Sequence, residues 1–185
     1  MGKKWQYKLC MLGDGGVGKT SLKNRFLTGE FTNKYLTTLG VDFASHSLQL
    51  DGKDVFVQIW DVAGQEIFSS IRQSYFQGAK GALVVFDVTR LESYENLFDG
   101  WIKPFFNVLD KSVPIAILGN KSDLENEAII RPETGNKFVE WVKDQLGLEQ
   151  APPYFETSAK EGLNVNLAFE NVSRIVLHNT ETKLQ

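Results

Sequence analysis

The chain has 185 residues, of which 42% are hydrophobic and 23% are charged, as is ordinary for one soluble globular domain. Its net charge of -3 argues against general affinity for nucleic acid, and its apolar runs are shorter than the roughly 18 residues of a membrane span. One cysteine, Cys10, allows no intrachain disulfide, so we expect a buried thiol in a protein of the reducing cytoplasm.

The first predicted strand, residues 5–12, leads into a glycine-rich loop and then into a predicted helix over 20–27. The loop fits the pattern G-x-x-x-x-G-K-[ST], which binds the phosphates of a nucleoside triphosphate. Its glycines let backbone N–H groups approach phosphate oxygens, and the helix N-terminus adds a partial positive charge. We expect Lys19 to bridge the outer phosphates and Thr20 to bind Mg²⁺. The residues predicted to contact the phosphates are Gly13, Asp14, Gly15, Gly16, Val17, Gly18, Lys19, Thr20 and Ser21.

Strands and helices then alternate, which predicts an α/β fold with a mostly parallel sheet. Asp51-Gly52 indicates a hairpin between strands 41–50 and 53–60, and this hairpin gives the sheet one antiparallel strand. Further strands are predicted at 81–88, 114–118 and 154–157, and helices at 92–109, 132–146 and 164–178. We therefore expect one domain over residues 1–178, with six strands and helices on both faces, and a flexible tail over 179–185.

The segment after strand 53–60 carries groups suited to a metal and a terminal phosphate. The carboxylate of Asp61 can hold a magnesium-bound water, and the backbone N–H of Gly64 can approach a terminal phosphate. Gln65 is placed to orient an attacking water molecule. A polar turn without further function remains the alternative.

The segment Asn120-Lys121-Ser122-Asp123 bears on the identity of the base. Guanine presents two adjacent N–H donors that the Asp123 carboxylate can accept, whereas adenine lacks them and would leave a buried charge unpaired. We expect Asn120 to tie this segment to the phosphate loop. The aliphatic stem of Lys121 can cover one face of the base.

A third segment, Ser158-Ala159-Lys160, follows the last strand and can donate the backbone N–H of Ala159 to the guanine carbonyl oxygen. With these motifs in this order, the chain resembles a small GTPase of the Ras superfamily over most of its length. It is most similar to the Rab branch. That similarity rests on segments 39–43, 58–61 and 75–79, which include the aromatic triad Phe43, Trp60 and Tyr75 that Rab partners contact.

The resemblance implies two switch segments, the first from Phe31 to Phe43 and the second from Ala63 to Phe76. Within the first switch it implies that Thr38 binds Mg²⁺ and the γ-phosphate. It further implies that Phe31 packs against guanine and that Tyr35 closes over the phosphates. The implied catalytic residues are Gln65, Lys19, Thr38 and Gly64, and the implied Mg²⁺ ligands are Thr20, Thr38 and, through water, Asp61.

The implied function is a GTP-binding switch that hydrolyses GTP slowly to GDP and recruits effectors in its GTP state, as in vesicle trafficking. Position 36 is Leu36, so an arginine supplied in cis is missing there, and we expect an activating protein to provide one. An exchange factor, the activating protein and effectors would contact both switches of a monomer. A non-Rab signalling GTPase, a GTP-loaded scaffold and a P-loop ATPase are the alternatives.

Several features depart from the Rab pattern, and two of them concern the first helix and membrane attachment. Lys23 stands where the first helix is usually apolar. The last residues contain no cysteine for prenylation, so membrane attachment is left open. We expect a cytoplasmic protein, peripheral on the cytosolic face of membranes if the natural chain carries a lipidated extension.

Overall fold

The computed structural model describes residues 5–32, 38–64 and 69–182, without the side chains of 69–72. Its centre is a six-stranded sheet in the order β2-β3-β1-β4-β5-β6. Strand β2 is antiparallel to β3, and all other neighbouring strands are parallel. The predicted α/β architecture is confirmed. The strands are β1 Trp5–Leu12, β2 Val41–Leu50, β3 Lys53–Val62, β4 Ala79–Asp87, β5 Ile115–Asn120 and β6 Tyr154–Thr157.

Central strands of the sheet are more buried than its edge strand β2. Strands β4 and β5 are almost wholly buried, because helices cover both faces of a parallel sheet. Edge strand β2 keeps many of its side chains half-buried or exposed. The turn that joins β2 to β3 has Asp51 and Gly52 at φ of 51° and 74°, as the two-residue hairpin signal predicts.

The helices pack on both faces of this sheet and enclose two hydrophobic clusters. One cluster lies under α1 and α6, and the other lies under the elements between β4 and β6. Among the helices of the described segments, none is both long enough and apolar enough to cross a bilayer. The helices are α1 Lys19–Thr28, α2 Ser69–Phe76, α3 Leu91–Glu95, α4 Lys103–Val108, α5 Pro132–Leu146 and α6 Val165–Thr182.

The single helix predicted over 92–109 is wrong, because a π-helical turn at Phe98–Ile102 separates α3 from α4. Pro104 lies in the first turn of α4 and has no N–H to donate to the preceding turn. A π-helical turn holds an extra residue and rotates the next helical segment about its axis. Here it accompanies the placement of Trp101, which is completely buried.

The last helix ends at Thr182 rather than at residue 178, so residues 179–182 are helical where the sequence predicts a flexible tail. The hydroxyls of Thr180 and Thr182 bond to carbonyls one turn earlier, at 2.7 and 3.1 Å. Glu181 also pairs with Lys53 at the start of β3. These contacts stabilise the last turn of the helix, although its polar composition alone predicts fraying.

Candidate functional site

The carboxyl ends of the parallel strands bring the predicted site residues to one edge of the sheet. The glycine-rich loop follows β1, Asp61 lies near the end of β3, and Asn120 ends β5. The segment 158–160 follows β6 at the same edge. This is the edge at which open α/β sheets bind ligands.

Two glycines make the loop fit its surroundings. Gly13 has φ of 136°, and a Cβ there would lie 2.1 Å from the carbonyl oxygen of Val85. Gly18 has φ of 98°, and a Cβ there would lie 2.3 Å from Nδ2 of Asn120. Both positions therefore exclude side chains, by conformation and by space. Lys19 lies across the loop, with Nζ donating to the carbonyls of Gly13 and Asp14 at 2.6 and 2.8 Å.

The side chain of Asp14 is held by the region around the π-helical turn. Its Oδ1 accepts hydrogen bonds from Nε1 of Trp101 and Nδ2 of Asn96, both at 2.7 Å. The Arg90 guanidinium donates to the carbonyl oxygen of Gly15 at 2.8 Å. Sequence reasoning missed these three supporting side chains, because none of them belongs to a recognised motif. The Gly100 amide, bonded to Asn96 O at 3.0 Å, belongs to the same turn.

Three side chains form a small oxygen cluster at the start of α1. Oγ1 of Thr20 lies 3.0 Å from Oγ1 of Thr38 and donates to Oδ2 of Asp61 at 2.5 Å. The other carboxylate oxygen, Oδ1 of Asp61, is buried without a hydrogen-bond partner. Hydroxyl and carboxylate oxygens suit Mg²⁺, which keeps water and phosphate oxygens as its other ligands. The cluster and its unsatisfied oxygen therefore fit the predicted ion.

The segment after β5 is fastened to the phosphate loop. Asn120 donates through Nδ2 to the carbonyl oxygen of Val17 at 2.8 Å, which is the tie expected from the sequence. Thr157 donates to Oδ1 of Asn120 at 3.2 Å, so both ends of this amide are used. The loop before α1 and the last two strands are thus joined through one buried side chain.

Asp123 and Lys121 contact side chains from β4 and from the segment that follows β6. Ser158 donates to Oδ1 of Asp123 at 2.6 Å, and Nζ of Lys160 lies 3.9 Å from Oδ2. Lys121, at φ of 67°, places Nζ 2.6 Å from Oδ2 of Asp87. Burial raises the pKa of Asp87, but its bonds to Lys121 and Thr89 outweigh burial and hold that pKa below its usual value.

The comparisons with known proteins agree with this arrangement. The family model described as the Ras family matches residues 8–178. The chain belongs to the Ras family. It is 41% identical over 180 residues to Ras-related protein Rab-9A of Rattus norvegicus. That alignment covers 95% of this chain and 85% of the relative. It is also 40% identical over 177 residues to Ras-related protein RABA1b of Arabidopsis thaliana, an alignment that covers 96% of this chain and 78% of that protein. Because both relatives are Rab proteins, this Ras-family chain is a Rab-like small GTPase.

In this Ras-family chain one described residue of each expected switch segment, Thr38 and Gly64, lies beside the phosphate loop or the start of α1. Gly64 packs so closely that a Cβ would lie 2.2 Å from the backbone of both Asp14 and Gly15. Phe31 is partly buried against the core cluster that includes α1. Tyr35 and Gln65 lie outside the described residues, so the roles predicted for them stay predictions.

The predicted aromatic triad lies at the outer part of the sheet, between β2 and the end of α2. The rings of Phe43 and Trp60 stack at 5.8 Å, and Nζ of Lys8 lies 3.6 Å from the Trp60 ring. Phe43 is 66% exposed and Leu39 is 77% exposed, although both are large and apolar. Tyr75 is half-buried against the second core cluster. The triad therefore combines packing with exposed apolar surface.

Proposed function

We propose that the chain binds GTP or GDP with Mg²⁺ at this edge of the sheet and that nucleotide state controls its two switches. The observation that carries the proposal is the hydrogen bond from Asn120 to Val17. It joins the segment suited to guanine to the loop suited to phosphates. A single ligand spanning base and phosphates would contact both segments at once.

The proposed contacts use described side chains and backbone groups at this edge of the sheet, with the exception of Gln65, which lies outside the described residues. Lys19 and the loop N–H groups would hold the β- and γ-phosphates, and Asp123 would accept the two guanine donors. Thr20 and Thr38 would bind Mg²⁺, with Asp61 acting through water; the ion would neutralise charge that develops on the phosphates. Gln65 would orient the attacking water. Charge positioned in advance in this way supplies most of the catalysis in phosphoryl transfer.

The same proposal extends to partners. Loss of the γ-phosphate would release Thr38 and Gly64, so the surface over both switches would change with the nucleotide. The exposed apolar side chains of Phe43 and Leu39 lie beside this surface and suit an effector that binds only the GTP state. We infer a cytoplasmic monomer that acts with an exchange factor, an activating protein and effectors in membrane trafficking.

Base recognition is tested with Asp123→Asn. An amide presents a donor where guanine also donates, whereas xanthine offers an acceptor there, so preference should move from GDP to XDP. Competition of XDP and GDP for the purified variant measures this change, with ATP as a control that should compete with neither. GDP affinity unchanged by the substitution contradicts the role of Asp123.

Hydrolysis is tested by single-turnover release of phosphate from bound GTP. Because Leu36 provides no arginine in cis, the expected rate is on the order of 10⁻⁴ s⁻¹ without partners. A rate near 1 s⁻¹ would overturn the need for an activating protein. No release at all would favour the GTP-loaded scaffold, and binding of effectors by GTP-loaded but not GDP-loaded protein would support the switch.

A further inference from the structure

A buried lysine lies beside the candidate magnesium site. Lys23, in the second turn of α1, is only 2% exposed. Its ammonium group pairs with Oδ2 of Asp42 and lies 3.8 Å from Oδ2 of Asp61. A buried ammonium is costly unless carboxylates compensate its charge, so these two contacts account for its position.

The strand register explains why a cation is accommodated there. Asp42 in β2 lies directly opposite Asp61 in β3. Two carboxylates in directly opposed positions repel each other. Lys23 follows Lys19 by one helical turn, so both lysines emerge from the same face of α1, and the ammonium of Lys23 relieves that repulsion.

Two cations would therefore compete for the negative charge of Asp61, namely the ammonium group of Lys23 and the proposed Mg²⁺ ion. Its Oδ2 accepts from Thr20 within the oxygen cluster and also faces Lys23, while Oδ1 has no hydrogen-bond partner. A fixed positive charge close to that carboxylate repels a second cation in the same place. Solvent screens this repulsion only weakly, because Lys23 and Asp61 are both buried.

We propose that Lys23 is a positioning residue that lowers the affinity of the nucleotide site for Mg²⁺ and so sets the Mg²⁺ concentration at which nucleotide is released. This inference rests on the proposed binding of GDP with Mg²⁺. It concerns a property of this chain, since it depends on a buried lysine between two opposed carboxylates. Lys23 acts through Asp61 and contacts no phosphate in the proposal.

The test measures the release rate of a fluorescent GDP from the full chain across a range of free Mg²⁺. In Lys23→Met the carboxylates lose their protein cation, so the Mg²⁺ midpoint should fall about tenfold. Lys23→Arg keeps the charge and should leave the midpoint within about threefold of the wild type. Lys53→Met is the matched control, because Lys53 pairs with Glu181 away from the site and its loss should change nothing.

Asp42→Asn tests the same proposal in the opposite direction. Asp42 is 62% exposed at its side chain, so this variant should fold even if Lys23→Met does not. Removing this carboxylate leaves Lys23 to pair with Asp61 alone, and the midpoint should rise about threefold or more. A midpoint that falls or stays unchanged in Asp42→Asn overturns the proposal.

The remaining outcomes separate two kinds of failure. GDP binding with an unchanged or raised midpoint in Lys23→Met overturns the role of Lys23 alone, as does a Lys23→Arg variant that behaves like Lys23→Met. If the wild-type chain binds no GDP at saturating Mg²⁺, the proposed function is overturned and this inference fails with it.

Discussion

At the scale of single residues, glycines with positive φ serve different purposes in this chain. Gly18 precedes α1 at φ of 98°, and the neighbouring Asn120 amide occupies the space that a Cβ would need. Gly29 ends the same helix at φ of 73°, and nothing lies within 4 Å of its ideal Cβ. The two positions thus share a left-handed backbone conformation that would strain any other residue, but they differ in steric demand.

This difference predicts different effects of the same substitution. Gly29→Ala should cost about 1 kcal/mol of folding stability from backbone strain and leave GDP affinity unchanged. Gly18→Ala should also displace Asn120 and weaken GDP binding at least tenfold, since the loop and the base segment would separate. Urea unfolding and GDP titration of both variants measure the two effects. Equal GDP affinity in the two variants would contradict the steric role of Gly18.

Much of the site was predictable residue by residue, because its motifs are local in sequence. The tie from Asn120 to the phosphate loop is confirmed, since both partners belong to recognisable segments. The contacts of Asp14 with Asn96 and Trp101 were not predictable, because neither partner belongs to a recognisable motif. Burial of Lys23 between two strands was also not predictable, although its spacing from Lys19 places both on one helix face.

At the scale of secondary-structure elements, the region between β4 and β5 differs most from prediction. Apolar periodicity over 92–109 suits one helix, but the π-helical turn divides it. The turn accompanies a buried indole whose N–H reaches the phosphate loop. The acceptor of this tertiary hydrogen bond is the Asp14 carboxylate, and such charge-assisted bonds are stronger than neutral ones.

Trp101→Phe should therefore loosen the phosphate loop. Losing a hydrogen bond to a charged group costs about 2 kcal/mol, which corresponds to a drop in Tm of about 6 °C in a domain of this size. GDP release should also become faster, because Asp14 would keep only Asn96 of these two donors. Thermal unfolding and GDP release measure these effects.

Trp141→Phe provides the matched control for this substitution. Trp141 is 43% exposed and packs against Phe98 and Phe138. Its replacement should lower stability by less than Trp101→Phe and leave GDP release unchanged. Equal effects of the two substitutions on GDP release would show that the hydrogen bond to Asp14 is not what holds the loop.

At the scale of the whole molecule, stability depends on a core that excludes water from a central strand. Cys10 in β1 is fully buried, and its thiol donates weakly to the carbonyl oxygen of Tyr75 at 3.6 Å. Burial raises the pKa of this thiol to about 12, against a smaller opposite effect of Lys8. The folded chain therefore keeps a proton that the unfolded chain loses in mild alkali.

This difference predicts a loss of stability at alkaline pH. An unfolded thiol ionises near pH 8.5, so the unfolded state binds fewer protons than the folded state above that pH and is favoured. Between pH 8 and pH 10 the free energy of unfolding should fall by about 2 kcal/mol from Cys10. Cys10→Ala should lose that part of the decline, whatever its stability at pH 7. Urea unfolding at several pH values compares the two slopes, and identical slopes would refute the assignment to Cys10.

The sequence by itself determined the order of the strands, the hairpin turn and the segments suited to nucleotide. These features follow from periodicity, turn chemistry and motifs within short stretches of chain. The tertiary structure alone decided the π-helical turn beneath Asp14, the extension of α6 to Thr182 and the place of Lys23 between Asp42 and Asp61. Each of these depends on partners far apart in sequence, whose charges and hydrogen-bonding groups meet only after the sheet has formed.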